Sequence, residues 1–187
     1  VGLHAVDLLA RLLGRELFHH VLQQAAVHRA HGRQARQTVL ERSGLALEAA
    51  ARVGGDEGYR RMRLFVAARS RFAEGKIAEA VARGVRQVVV LGAGLDTFGL
   101  RNPYAAQGLR VFEADHPATQ AWKRERIQAM GVAAPSLVFA PVDFERDDLG
   151  EALAQAGVDR AAPTFFMWLG VTPYLSPAAI MATLRVA

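Results

Sequence analysis

The stretch "VVVLGAGLDT", residues 88–97, decides how the rest of the chain is read. Three valines and a leucine form a short β-branched run suited to a strand buried on both faces. Gly92 and Gly94 follow at once, spaced one apart. Glycine lets the backbone turn sharply and lie against a ligand that a Cβ would block. A strand that ends in Gly-x-Gly and turns toward a helix is therefore a phosphate or nucleoside loop by its geometry. The same two glycines also occur in plain turns, so their neighbours carry the reading.

Outward from the loop, strands alternate with helices. "QVVVL" (87–91), "LRVFEAD" (109–115), "LVFAPVD" (137–143) and "PTFFMWLGV" (163–171) read as strands. "HPATQAWKRERIQAM" (116–130) reads as a helix with Pro117 in its first turn and Gly131 just after it. "DDLGEALAQAG" (147–157) is a helix capped by Asp147 or Asp148 and stopped by Gly157. "SPAAIMATL" (176–184) begins a helix with Ser176 as N-cap and Pro177 at its first position. This alternation predicts an α/β fold: a Rossmann-like, doubly wound parallel sheet with helices on both faces.

Upstream, the texture is helical. Leu9, Leu13, Leu17, Val21 and Ala25 recur every four residues, so 3–30 reads as an amphipathic helix. Residues 31–42 are polar and read as a connection or a continued exposed helix, and a second helix, about 43–53, stops at Gly54-Gly55. A long helix then runs from Asp56 and Glu57 through Arg83 and closes at Gly84. The expected organisation is an N-terminal helical annex, 1–55, and a Rossmann-like cofactor-binding domain, 56–187. A dinucleotide fold uses about six strands. Four predict a domain lacking its last strands.

Composition narrows the class. About half of the 187 residues are apolar, which excludes wholesale disorder. There is no cysteine, hence no disulfide and no thiolate metal site, which suits a cytoplasmic location. No apolar run reaches the roughly 18 residues of a membrane span, and no secretory signal is visible. The formal charge is +5, concentrated in 52–86. Arginines there alternate with acids and lack an aromatic stacking series, so they read as a solvated helix face rather than a nucleic-acid surface. The histidines at His4, His19, His20, His28 and His31 lack an acid pair to complete a metal site, and no metal is expected.

The charge of the loop separates two kinds of nucleotide. A dinucleotide fingerprint needs a third glycine where Thr97 stands, and seats a pyrophosphate on the helix N-terminus. Asp96 lies just inside that turn. Like charges at short range cost about 4 kcal/mol at an effective dielectric near 20. S-adenosylmethionine carries an ammonium and a sulfonium and no phosphate, so an acidic loop suits it. Asp96 is equally suited to capping the helix that follows. About 20 residues beyond the glycines, where an acid accepts ribose hydroxyls, stand Glu113 and Asp115. Strand alternation places them on one face. Asp115, last in the strand, is the preferred ribose acid, and Glu113 is either a supporting residue behind it or a surface residue. Asp143 closes the third strand; it either accepts from an adenine amino group, with Phe144 along the ring, or caps the following turn.

With these residues assembled, the chain resembles the leucine carboxyl methyltransferase-like family of S-adenosylmethionine-dependent methyltransferases, and most of all its bacterial O-methyltransferase branch. The matching blocks are "ARSRFAEGKIAEAVARGVRQVVVLGAGLDTFGLRNPY" (68–104), "VFEADHPATQAWKRERI" (111–127), "FAPVDFERDDL" (139–149) and "FFMWLGVTPYLS" (165–176). The resemblance implies that Arg69 holds the cofactor's methionine carboxylate, with Arg71 as the alternative. It implies that Gly92, Ala93 and Gly94 lie under the methionine part, that Asp115 takes the ribose, and that Asp143 and Phe144 take the adenine end. One departure stands out: Leu169 occupies the place where carboxyl methyltransferases have a Glu before Gly-Val. The first 45 or so residues match the family poorly.

The expected activity is O-methylation of a carboxylate or hydroxyl on a small molecule, with a homo-oligomer possible. A carboxylate acceptor needs no general base, whereas a phenol or alcohol benefits from one. His116 and Tyr174 stand nearest in sequence, and no catalytic residue is assigned. Two rival readings are a non-catalytic nucleoside-binding or interaction module, which Leu169 favours, and an NAD-type oxidoreductase, which Thr97 and Asp96 disfavour.

Overall fold

A computed structural model describes residues 57–94, 96–129 and 131–187. The chain divides into two compact units, Val1–Ser70 and Arg71–Ala187. The helices expected at 3–30 and 43–53, and the histidines within and beside the first, lie outside the described residues. The elements are α1 (Glu57–Ala82), β1 (Gln87–Leu91), α2 (Phe98–Arg101), β2 (Arg110–Asp115), α3 (Pro117–Ala129), β3 (Leu137–Pro141), α4 (Leu149–Gln155), β4 (Thr164–Trp168) and α5 (Pro177–Val186). Short 3-10 turns at Ala105–Gln107 and Thr172–Tyr174 fill two connections.

The four strands form one parallel sheet in the order β3-β2-β1-β4. This is the expected architecture. The chain builds from β1 outward through β2 to β3, then returns to the other side of β1 for β4. Connections leaving β1 and β4 therefore part in opposite directions, which makes the carboxyl ends of these two strands the topological switch point, where open α/β sheets bind ligands. The glycine loop sits at that point.

Alternation along the strands sorts the core into two layers. Val88, Val90, Val111 and Met167 pack with Ala73, Ile77 and Val81 of α1. Val89, Leu91, Phe112, Ala114 and Ala140 pack with Leu149 and Leu153 of α4. Every residue of β1 is buried, as its unbroken apolar run foretold. Gln87, polar and buried, begins the strand by donating from Nε2 to the Asp159 carbonyl and Thr164 Oγ1, while its Oε1 accepts from the Asp159 N–H. These three bonds tie the entry of β4 to the entry of β1.

Several boundaries differ from the sequence expectation. β4 leaves the sheet after Trp168 because its neighbour β1 ends opposite, Leu91 pairing with Trp168. β3 ends at Pro141, which has no N–H to donate and stands opposite the last residue of β2. Helix α1 ends at Ala82, where Gly84 N–H bonds the Val81 carbonyl and Val85 N–H bonds the Ala80 carbonyl, a Schellman closure. Asp148, of the two candidates, is the N-cap of α4, its side chain accepting from Glu151 N–H. Ser176 caps α5 as expected, accepting from Ala179 N–H.

Candidate cofactor site

Each strand of the sheet ends in a loop at the same edge, and the candidate site grows from three of those loops. Gly92 and Gly94 follow β1 with φ of 63° and 49°. Both lie in the left-handed region that side chains disfavour. A Cβ on Gly92 would overlap Cγ2 of Val171 and stand 2.9 Å from its Cγ1. The loops after β1 and β4 thus meet closely at the topological switch point, and only glycine permits it.

In the loop, the backbone donors of Gly92, Ala93, Gly94 and Asp96 are already spent. Gly92 and Ala93 N–H groups both bond the Ala114 carbonyl, at 2.8 and 3.3 Å. Gly94 N–H donates to Asp115 Oδ2. Asp96 N–H bonds the Ala93 carbonyl at 2.8 Å, and Phe98 N–H bonds Asp96 Oδ1 at 2.7 Å. A pyrophosphate site requires such donors to be turned outward. Here they are turned inward, onto β2 and onto the loop itself. Thr97 is the N-cap of α2 and makes no side-chain cap bond; Asp96, one residue earlier, accepts from the helix's first N–H instead.

The acids come together as charge alone would forbid without compensation. Asp115 is buried, with Oδ2 on Gly94 N–H and Oδ1 on His116 N–H at 2.6 Å. Glu113 is wholly buried and forms an ion pair with Lys123 of α3 at 2.5 Å. The alternative that Glu113 is a surface residue is therefore corrected: it stands behind Asp115 on the same face of β2, held by Lys123. Burial pushes the Asp96 and Asp115 carboxyls up, opposed by their backbone hydrogen bonds. Burial likewise raises Glu113 to about 7 against the attraction of Lys123. Arg101, the next cation along the loop, is bound to Glu74 of α1 at 2.6 Å and to Thr97 Oγ1 at 3.0 Å. Both cations that hold the loop are thus taken up by acids, and its surroundings are acidic.

Beyond β3, Asp143 caps its own turn through Oδ1, which accepts from Glu145 N–H at 3.0 Å. Its Oδ2 stands 3.9 Å from His116 Nε2 and 3.8 Å from Arg146 Nε. The residues after β2 and β3 are brought together there. His116 Nδ1 accepts from Ala118 N–H at the start of α3, a capping role. Phe144 is half-buried and packs against the α4 layer. Arg69 belongs to the Val1–Ser70 unit, where its guanidinium stands 5.9 Å from the Phe65 ring. Arg71 is exposed. Leu169 packs against the α1 layer of the core. Among the described residues, no group of three or more His, Asp or Glu could hold a metal, and no helix is long and apolar enough to cross a membrane.

Three residues that shape the loop and its surroundings escaped the sequence reading. Lys123 escaped because the buried face of α3 is polar: Thr119, Gln120 and Lys123 point inward. Apolar periodicity cannot find such a face, although a Lys at that spacing in a helix of arginines was a signal. Val171 was hidden in what read as strand. Gly99 drew no reading, since the short helix α2 that holds it was not foreseen; a Cβ there would lie 2.6 Å from Leu137 Cδ1 and 3.1 Å from Glu113 Oε1. It does the close-packing work that the missing third glycine does in a dinucleotide loop.

The residues fit a cationic nucleoside cofactor: a glycine turn, an acid at the end of β2, and donors withdrawn from any phosphate. Such a sheet and loop define a Rossmann-like, nucleoside-cofactor class of domain. Comparison with known proteins narrows the class to a family. The model of the family described as leucine carboxyl methyltransferase matches residues 9–187, and the chain belongs to it. The match begins at residue 9 and so takes in most of the N-terminal segment as well. A protein of Saccharopolyspora erythraea named "Putative S-adenosyl-L-methionine-dependent methyltransferase" is 41% identical over 128 residues, 67% of this chain and 44% of that protein. Similarly named proteins of Bacillus subtilis and Mycolicibacterium gilvum are 38% identical over 110 residues and 39% identical over 131. Those alignments cover 58% and 68% of this chain, and 36% and 42% of the relatives. The chain spans less than half the length of these relatives.

Proposed function

We propose that the chain binds S-adenosylmethionine at the carboxyl edge of its sheet, and that the protein transfers the methyl group to a carboxylate or hydroxyl oxygen of a small molecule. The observation that carries this reading is the loop after β1, where the N–H groups of Gly92, Ala93, Gly94 and Asp96 turn inward and acids stand at its back. When bound, the cofactor supplies a methyl group made electrophilic by the sulfonium, which an acceptor oxygen displaces in line.

The chain's own residues hold and orient. Asp115 keeps a free lone pair on each oxygen beyond its backbone bonds, and accepts the ribose hydroxyls. Gly92, Ala93 and Gly94 supply a surface without side-chain bulk for the methionine part. The Asp96 and Asp115 charges favour a cation over an anion there. The backbone carbonyls around Gly92 and Leu169 take over the ammonium contact that Leu169 cannot make with its side chain. Asp143 and Phe144 receive the adenine, and Arg69 binds the methionine carboxylate as a guanidinium fork. Alignment and exclusion of water then provide most of the acceleration. A chain without cysteine suits the cytoplasm as its place of work.

A second reading, a nucleoside-binding module without catalysis, is favoured by one observation: Leu169 is packed into the core where the family's acid would stand. Calorimetric titration with S-adenosylhomocysteine tests the site, with NAD and Asp115→Ala as controls. Saturable binding, weakened at least about tenfold in the variant and absent with NAD, is expected from the loss of a charge-assisted hydrogen-bond acceptor. A folded chain that binds NAD instead, or neither ligand, sinks the proposal. Binding without methyl transfer to any carboxylate or hydroxyl acceptor supports the second reading.

A further inference from the structure

We propose that Lys123 and Glu113 are positioning residues of the cofactor loop: the Lys123 ammonium, seated on Glu113, holds the Asp96 carbonyl and fixes the backbone that receives the cofactor. This inference rests on the reading of that loop as the S-adenosylmethionine site.

The geometry is direct. Lys123 reaches from α3 to Glu113 Oε2 at 2.5 Å and to the Asp96 carbonyl at 2.6 Å. The two side chains are 5% and 0% exposed. A buried ion pair is a poor way to gain stability, because desolvation offsets the attraction and apolar residues of similar volume often do as well. Apolar residues cannot donate to a loop carbonyl. The two acids of β2 thus hold the loop at two points. Asp115 takes Gly94 N–H directly, and Glu113 takes the Asp96 carbonyl through Lys123. Between those points runs the turn closed by the Asp96 N–H bond to the Ala93 carbonyl.

The pair also settles the charge. Lys123 spends its positive charge on Glu113, so Asp96 and Asp115 remain as net acid beside the loop. Gly99 completes the device: it lets α2 close onto Glu113 with no side chain between, and Glu113 Oε1 is left buried without a hydrogen-bond partner. Lys123 stands behind the loop and acts through it.

The test is a double variant, Lys123→Met with Glu113→Leu, which removes both charges and leaves neither buried alone. Two quantities are read: the dissociation constant for S-adenosylhomocysteine, and ligand-free amide exchange over 92–98. A folded double variant with an unfolding midpoint near wild type is expected. It should bind at least about tenfold more weakly, and its loop amides should exchange about tenfold faster, as befits loss of one hydrogen bond to a charged donor. Wild-type affinity together with wild-type exchange overturns the proposal and leaves the cofactor reading standing. If the double variant does not fold, two single variants decide. Glu113→Gln keeps the Lys123 bond to Asp96 and should lose at most about threefold in affinity, whereas Lys123→Met should lose tenfold or more. Equal losses in both overturn the proposal. A wild-type chain that binds no S-adenosylhomocysteine overturns the cofactor reading instead, and the exchange comparison then decides by itself whether the pair anchors the loop.

Discussion

Gly92 shows how much one residue decides. Its φ of 63° and the overlap of any Cβ with Val171 are separate penalties. Backbone strain of this kind costs about 1–3 kcal/mol, and overpacking a similar amount. Gly92→Ala is therefore expected to lower the unfolding free energy by about 2–5 kcal/mol in urea titration. Adding Val171→Ala should return the steric part and leave the backbone part. Full recovery in the double variant would refute the backbone contribution, and no recovery the contact. Asp115 was legible as an acid beside the glycine loop because it ends the second strand, and there it accepts from Gly94 N–H. Lys123 was not, because its partner Glu113 stands ten positions back and meets it only through the crossing of α3 over β2.

At the scale of elements, helix boundaries were legible where a side chain closes a backbone bond locally. Ser176 and Asp148 are such cases, each accepting from an N–H three residues on. Ser176 does more than cap. Its N–H and hydroxyl both donate to the Glu145 carboxylate, at 2.7 and 2.8 Å, which ties the turn after β3 to the start of α5. Ser176→Ala should cost about 1–2 kcal/mol by loss of the cap and of a charge-assisted bond. Asp148→Ala, a cap without that second tie, should cost nearer 1. Thermal or urea unfolding of the two variants checks the order, and a larger loss for Asp148→Ala would contradict it. The short helix α2 was not foreseen, since four residues carry too little periodicity to read.

For the molecule as a whole, the gathering of Asp96, Glu113 and Asp115 makes stability depend on pH. All three carboxyls are raised by burial. A carboxyl whose folded value lies above its unfolded value binds its proton more tightly when folded. Its contribution is full below the unfolded value, 4.5 for Glu113, and is lost as pH rises through the folded value of about 7. Urea midpoints are expected to fall between about pH 5 and pH 7.5. Glu113→Gln should flatten that slope, because it removes the carboxyl that burial raises to about 7. A midpoint that rises across this window in wild type, or an unchanged slope in the variant, would contradict the assignment.

The sequence by itself determined the strands, their parallel arrangement, the glycine turn and the acid that ends β2. Each of these is set by local chemistry: β-branched runs, φ freedom, and the spacing of one strand from the next. Only the tertiary structure decided which charges face one another. The strand order β3-β2-β1-β4 lays the loop after β1 against Val171 from the loop after β4, and α3 carries Lys123 under the same loop. Those meetings depend on pairs far apart in the chain, and no periodicity along one segment records what stands across from it.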